Sequence, residues 1–123
     1  MIGFSIMIAS CKNTVNTPIG DIVFPADSVS YAKQVQPLFN IGCTYPGACH
    51  DDQTRAGGLS LTNYIDATTD QPGVIIPGNP TSSILIQRIQ GQNGIMPPPP
   101  SSPLNQNQVN GMKTWIKEGA KLN

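Results

Sequence analysis

The sequence predicts an all-α domain of about four short helices separated by long loops. Apolar residues recur every three or four positions in several stretches, which is typical of helices that bury one face. The chain of 123 residues is long enough for one domain, and its 12 glycines and 12 prolines indicate much loop. Aromatic residues make up only 6% of the chain, so a core built from protein alone would be thin.

The first predicted helix covers residues 28–40, with Ser28 or Asp27 as its N-cap. Pro37 falls inside this stretch, where it removes a backbone donor and crowds the preceding turn. We therefore expect a kink or a restart near Gln36.

Two further helices are predicted in the middle of the chain. One lies within residues 59–70 and is opened by Thr62. The other covers residues 79–90, because Asn79 is a favourable cap and Pro80 is tolerated at the first helical position.

The last predicted helix starts at Asn105, with Gln108 as its reciprocal capping partner. Gly119 is expected to terminate it, just as Gly42 is expected to end the first helix.

The N-terminal residues 1–11 are typical of a targeting segment. Residues 2–10 are apolar but far shorter than the ~20 residues that span a bilayer. The run ends in small residues before Cys11, which resembles a bacterial lipobox with Cys11 as the lipidated residue. Since no Lys or Arg precedes the run, we expect either that upstream residues are missing or that the start was assigned too late.

The predicted organisation is therefore a signal segment at residues 1–11, a flexible linker at 12–27 and one domain at 28–123. It implies an exported protein, in the periplasm or at the outer membrane, that is held to the membrane by the lipid on Cys11. An ordinary free Cys11 on a buried N-terminal strand is the alternative. The seven cationic and seven anionic side chains balance and form no basic patch, so nucleic acid is not an expected partner.

Two thiols and the only histidine of the chain lie within eight residues, from Cys43 to His50. The pair Cys49-His50 closes the stretch, as in the attachment site of a c-type haem. In that chemistry both thiols bond to the porphyrin vinyl groups, and the histidine is an axial ligand of the iron. Five residues separate the cysteines instead of the usual two, so the spacer must bulge outward for both sulfurs to reach one porphyrin.

A second axial ligand is expected downstream, on a rigid loop. Met96 meets this requirement because it follows a glycine-rich turn and precedes four prolines. Paired with a histidine, a methionine ligand raises the reduction potential of haem iron. Met112 falls on the apolar stripe of the last helix and is expected to be core.

Six short motifs follow one another in a family-specific order and spacing. They are Val35-Gln36-Pro37-Leu38-Phe39, Cys49-His50-Asp51, Gly58-Leu59-Ser60-Leu61, Pro77-Gly78-Asn79-Pro80, Ile95-Met96-Pro97-Pro98 and Trp115-Ile116-Lys117-Glu118-Gly119-Ala120. With them, residues 28–122 resemble a class I c-type cytochrome domain, of the type found in exported bacterial lipoproteins and longer envelope proteins.

The resemblance implies one covalently attached haem c inside a class I cytochrome c-like fold. Cys43 and Cys49 would form the thioethers, and His50 and Met96 would be the axial ligands. The family packs its first and last helices across each other beside the haem. On that pattern Val35 or Phe39 would meet Met112 or Trp115.

The implied function is electron transfer by cycling between Fe(II) and Fe(III), without enzymatic activity, to and from redox proteins of the envelope. The residues alone leave other readings open. A cysteine pair six positions apart in an exported chain is often a disulfide. A zinc site would need four ligands and would have to recruit Asp51 or Asp52. The competing function is a haem-free, disulfide-closed envelope lipoprotein that acts as a binding or structural module.

Overall fold

Four α-helices and no strand are present in residues 21–123, the part of the chain that the computed structural model describes. A π-helical turn at Tyr31–Val35 precedes the helices α1 (Gln36–Gly42), α2 (Tyr64–Thr69), α3 (Ile84–Ile89) and α4 (Gln106–Lys117). The prediction of an all-α domain with long connections is therefore confirmed. None of the described helices has the length and apolar character to cross a membrane. The predicted signal segment, including Cys11, lies outside the described residues.

The N-cap of the first helical segment is Ser30, so the prediction of Ser28 or Asp27 is wrong. Ser30 Oγ accepts a hydrogen bond from the Lys33 amide at 3.1 Å. Ser28 has a positive φ of 54°, and its amide donates to Glu118 Oε2 at 2.8 Å. The contact with the end of α4 thus holds Ser28 outside the helix.

A kink or a restart is predicted near Gln36, and the structure has a change from π-helix to α-helix there. The π-helical turn ends at Val35, and α1 begins at Gln36 with Pro37 in its first turn. Val35 and Gln36 both have right-handed helical backbone angles, so the two segments are continuous, and the hydrogen-bond pattern changes where the proline lacks an N–H. α1 ends at Gly42 as predicted, and Cys43 follows it directly.

The cap of α2 is Asn63, whose Oδ1 accepts from the Asp66 amide at 2.8 Å. Thr62, which is predicted to open the helix, therefore lies one residue before the N-cap and outside α2. The Thr62 hydroxyl instead donates to Asp52 Oδ1, which ties it to the loop after α1.

Helix α3 begins at Ile84, later than the predicted start at Asn79. Asn79 Oδ1 accepts from the Ser82 amide at 3.1 Å, so it caps a turn instead of the helix. The Ile84 amide donates to the Gly73 carbonyl at 3.0 Å. A neighbouring loop thus supplies the partner that a side-chain cap would provide.

Helix α4 matches its prediction closely. Asn105 Oδ1 accepts from the Gln108 amide at 2.9 Å, and Gln108 Oε1 accepts from the Asn105 amide at 3.0 Å. This capping box satisfies two backbone donors at once. Gly119 follows the helix with a φ of 107°, a conformation that favours glycine, and so ends it.

The core joins all four helices and the segment before the first one. Its apolar residues are Ile22, Phe24, Val29, Tyr31, Val35, Leu38, Phe39, Leu59, Leu61, Ala67, Val74, Ile75, Leu85, Ile86, Ile89, Leu104, Val109, Met112, Trp115, Ile116 and Ala120. All four residues expected where the first and last helices cross are among them. The ring contact that joins these two helical segments is made by Tyr31, whose ring centroid lies 5.7 Å from that of Trp115.

The end of the predicted linker packs as part of the domain. Ile22 and Phe24 are buried, and the Phe24 amide donates to Asn107 Oδ1 at 2.9 Å. Asn107 Nδ2 in turn donates to the Phe24 carbonyl at 3.1 Å. The domain therefore begins at or before Ile22 instead of at residue 28.

Candidate haem site

A cavity of about 350 Å³ opens between the loop after α1, helix α3 and the proline-rich loop before α4. The four residues that the sequence singles out, Cys43, Cys49, His50 and Met96, all line it. Most of the remaining lining is apolar, and the volume falls within the range of small-molecule sites. The fold thus brings together residues that are up to 53 positions apart in the sequence.

The five-residue spacer between the cysteines forms an outward loop. The Cys49 amide donates to the Tyr45 carbonyl at 3.1 Å, which closes a turn within the spacer. Gly47 has a φ of 81°, a left-handed conformation that glycine adopts without strain. At the base of the loop, the His50 amide donates to the Cys43 carbonyl at 3.0 Å. Residues 45–48 are exposed, so the extra residues project into solvent while both cysteines reach the cavity wall.

His50 is held on both its backbone and its ring. Its carbonyl accepts from the Leu61 amide at 2.9 Å. Its Nδ1 lies 3.1 Å from the Leu59 carbonyl oxygen. Because a carbonyl oxygen only accepts, Nδ1 carries a proton in this contact, and in the neutral ring Nε2 keeps a free lone pair. A partner on one ring nitrogen that orients the other is the usual arrangement of a metal-binding histidine.

The two cysteines near the cavity are free thiols. Burial raises the pKa of the Cys43 thiol to about 12, and the neighbouring Cys49 adds to the rise. Cys43 therefore stays protonated at neutral pH in the protein without cofactor.

The two methionines in the described residues occupy different environments. Met96 is 37% exposed and lines the cavity, and its amide donates to the Arg88 carbonyl at 3.0 Å. Met112 is 1% exposed and lies in the core. The arrangement favours Met96 as a residue able to meet a ligand, and it agrees with the expected core role of Met112.

Residues 59–61, which contact His50 through their backbone, are anchored by Asp52. Its Oδ1 accepts from the Ser60 hydroxyl at 2.9 Å and from the Thr62 hydroxyl. These two bonds, the one from Thr62 being the stronger influence, lower the pKa of the Asp52 carboxyl. Both Leu59 and Leu61, the backbone partners of His50, are thereby tied to the loop that carries the histidine.

A second anchor joins the same segment to α2. Arg55 pairs with Asp70 at 2.6 Å and with Asp66 at 3.1 Å. Asp70 also accepts from the Ser60 amide at 2.9 Å. This ion-pair network holds Arg55 and Ser60, which lie in the segment after His50. Neither Asp66 nor Asp70 lines the cavity.

Sequence reasoning missed two participants in the site. The Leu59 carbonyl orients the His50 ring, but a backbone partner leaves no signature in the residue types. Arg88 lines the cavity from the last turn of α3. It is the only charged side chain among the described residues of the lining, and only the packing of α3 reveals which way it faces.

The profile of a known family matches the part of the chain that builds most of this site. The family is described as Planctomycete cytochrome C, and the match covers residues 47–100. Over these residues the chain is similar to a cytochrome c-type domain. The match includes Cys49, His50 and Met96, and it begins after Cys43. No curated protein and no solved structure matches the chain significantly.

A match to a cytochrome c family implies a covalently bound haem and a role in electron transfer, and the residues present fit that cofactor. The cavity offers two thiols, an imidazole with one free nitrogen and a thioether on an apolar wall. Sulfur and imidazole donors are those that haem iron accepts. Hence the apolar surroundings suit a flat hydrophobic ring, which would also add to a core that is poor in aromatic residues.

Proposed function

We propose that this protein is a monohaem electron carrier of the cell envelope. Cys43 and Cys49 would hold the haem through thioethers, and His50 and Met96 would be the ligands of its iron. The observation that carries the proposal is that all four side chains line one apolar cavity. When bound, haem supplies the Fe(II)/Fe(III) couple, which needs no proton donor or nucleophile from the protein.

The ligand set points to a carrier instead of an enzyme. His50 Nε2 makes no contact with the Leu59 carbonyl, and Met96 lies on a loop stiffened by the prolines that follow it, so the chain itself could supply two ligands to the iron. Closed coordination leaves no site on the iron for a substrate. The apolar wall and the thioether ligand both favour the reduced state and hence a raised potential.

An edge of the cavity reaches the protein surface. Ile84 and Met96 both line the cavity, and they are 40% and 37% exposed. An accessible edge suits exchange of electrons with redox proteins of the envelope, which we propose as partners. The tether would be a lipid on Cys11, with the mature protein in the periplasm or at the outer membrane.

Intact mass combined with a haemochrome spectrum tests the proposal. The full chain is expressed with export and a haem-attachment system and is purified from membranes. We expect a mass increment for one porphyrin together with acylation at Cys11, and a c-type haemochrome spectrum. The variants Cys43→Ala and Cys49→Ala should each shift the haemochrome band, because one vinyl group stays unsaturated. The double variant should lose covalent haem.

The haem-free alternative makes the opposite prediction. A disulfide between Cys43 and Cys49 would lower the mass by two hydrogens and give no haemochrome spectrum. That result would refute the electron-carrier proposal. Haem attachment without acylation at Cys11 would leave the carrier role standing and overturn the proposed tether.

A further inference from the structure

Arg88 places a positive charge on a mostly apolar cavity wall. It lies in the last turn of α3 and is half-buried. Its neighbours in the lining on the same helix are Ile84, Leu85 and Ile89, all apolar. An arginine beside such a surface is costly to desolvate unless a polar partner meets it.

The Arg88 guanidinium uses little of its donor capacity within the described part of the chain. Its Nη1 donates to the Asn93 carbonyl, in the loop that leads to Met96. The ion pairs between described residues involve Arg55, and no carboxylate of residues 21–123 pairs with Arg88. Because a guanidinium carries five N–H donors in a planar fork, most of them remain available to a ligand.

We infer that Arg88 binds a propionate carboxylate of the haem. The inference rests on the proposed haem-carrying function. Haem is an apolar ring with anionic propionates, and within the described residues of the cavity wall Arg88 is the one cation that could receive them. The fork of an arginine matches a carboxylate with two parallel hydrogen bonds, and such charge-assisted pairs are stronger than neutral ones.

Pairing of Arg88 with a propionate would also change the reduction potential of the haem iron. A propionate charge that nothing offsets stabilises ferric iron, because the ferric haem carries one more positive charge than the ferrous haem. Arg88 offsets this negative charge and so favours the ferrous state. Arg88 would therefore raise the reduction potential through its contact with the cofactor.

The test compares Arg88→Gln and Arg88→Lys with wild type, all loaded with haem. Lys117→Gln is the matched control, since it removes one cation from an exposed position of α4 outside the cavity lining. At a fixed ambient potential, we expect Arg88→Gln to shift the ferrous-to-ferric ratio about tenfold toward ferric, which is about 59 mV for a one-electron couple. Arg88→Lys should recover part of the shift, and Lys117→Gln should give a much smaller one.

A second readout separates carboxylate binding from support of the Met96 loop. Resonance Raman spectra contain a propionate bending mode that responds to hydrogen bonding. We expect this mode to move in both Arg88 variants, while the sulfur-to-iron charge-transfer band persists. If the band is lost and the mode stays, Arg88 acts through its bond to the Asn93 carbonyl and the inference is overturned.

The remaining outcomes are also decisive. If wild type attaches no haem, the proposed function itself fails. If haem attaches but the Raman mode and the potential of Arg88→Gln equal those of wild type, only the role of Arg88 is refuted. Should Arg88→Gln fold too poorly to load haem, Arg88→Lys decides the question, because an unchanged propionate mode there overturns the pairing.

Discussion

Replacing Gly111 by alanine should destabilise the domain, although alanine is normally the better helix residue. Gly111 is buried in the middle of α4, against the segment that the sequence assigns to the linker. A Cβ added at this position would lie closer than 3.0 Å to the Cβ, Cγ and Cδ2 atoms of Phe24. Phe24 is 3% exposed and is held by two hydrogen bonds with Asn107, so it cannot move aside cheaply.

The magnitude follows from two opposing effects. Helix propensity favours alanine over glycine by about 1 kcal/mol. Overpacking a tight interior site costs about 1–3 kcal/mol, and the overlap with three ring-proximal atoms places Gly111→Ala at the upper end. We therefore expect a net loss of about 2 kcal/mol, which lowers the melting temperature of a domain of this size by roughly 8–16 °C.

Urea denaturation followed by far-UV circular dichroism measures the effect on the full chain. A double-mutant cycle with Phe24→Gly isolates the contact, because that change removes all three clashing atoms. In the Phe24→Gly background, Gly111→Ala should become stabilising by about 1 kcal/mol, as propensity alone predicts. Asn110→Ala, at the neighbouring exposed position of α4, is the control for propensity without a clash.

A stabilising effect of Gly111→Ala in the wild-type background would refute this reasoning. It would mean that residues 22–24 do not pack on α4 in solution. Equal effects in the two backgrounds would likewise show that the two residues are not in contact.

Two further predictions concern the distal ligand and the pH dependence of stability. Met96→Ala should abolish the sulfur-to-iron charge-transfer band and lower the reduction potential. Met112→Ala should keep the band and lower the free energy of unfolding by about 2–5 kcal/mol, because it empties a core position. Visible spectra in which Met112→Ala loses the band and Met96→Ala keeps it would contradict the assignment. Burial, with a smaller contribution from Tyr64, raises the pKa of Tyr31 to about 12 from an ordinary value of 10.0. Since the unfolded chain then loses this proton first, stability should fall as pH rises from 10 to 12, and denaturation midpoints of Tyr31→Phe should fall less.

Local chemistry explains which parts of the fold the sequence could predict. The capping box of Asn105 and Gln108 and the change of helix type near Pro37 depend on residues within one or two turns. The start of α3 was mispredicted because its first amide is satisfied by the distant Gly73 carbonyl. The burial of Phe24 was missed for the same reason, since its partners lie in α4.

The candidate site likewise contains residues that the sequence could predict and one that it could not. Cys43, Cys49 and His50 stand close together in the chain, and Met96 is marked by the prolines that follow it, so residue types alone could nominate all four. Their roles as haem ligands stay predictions. Arg88 could not be nominated, because an arginine in a helical stretch has no sign of which surface it faces.

The sequence by itself determined the helical class, the resemblance to a c-type cytochrome and the four candidate haem-binding residues, because each depends on residue type and short spacing. Only the tertiary structure decided that these residues share one apolar cavity and that the Leu59 carbonyl leaves Nε2 of His50 free. Tertiary packing also decided that Arg88 faces the same space. The physical reason is that hydrogen bonds and burial between distant segments depend on how the helices pack, which no local pattern encodes.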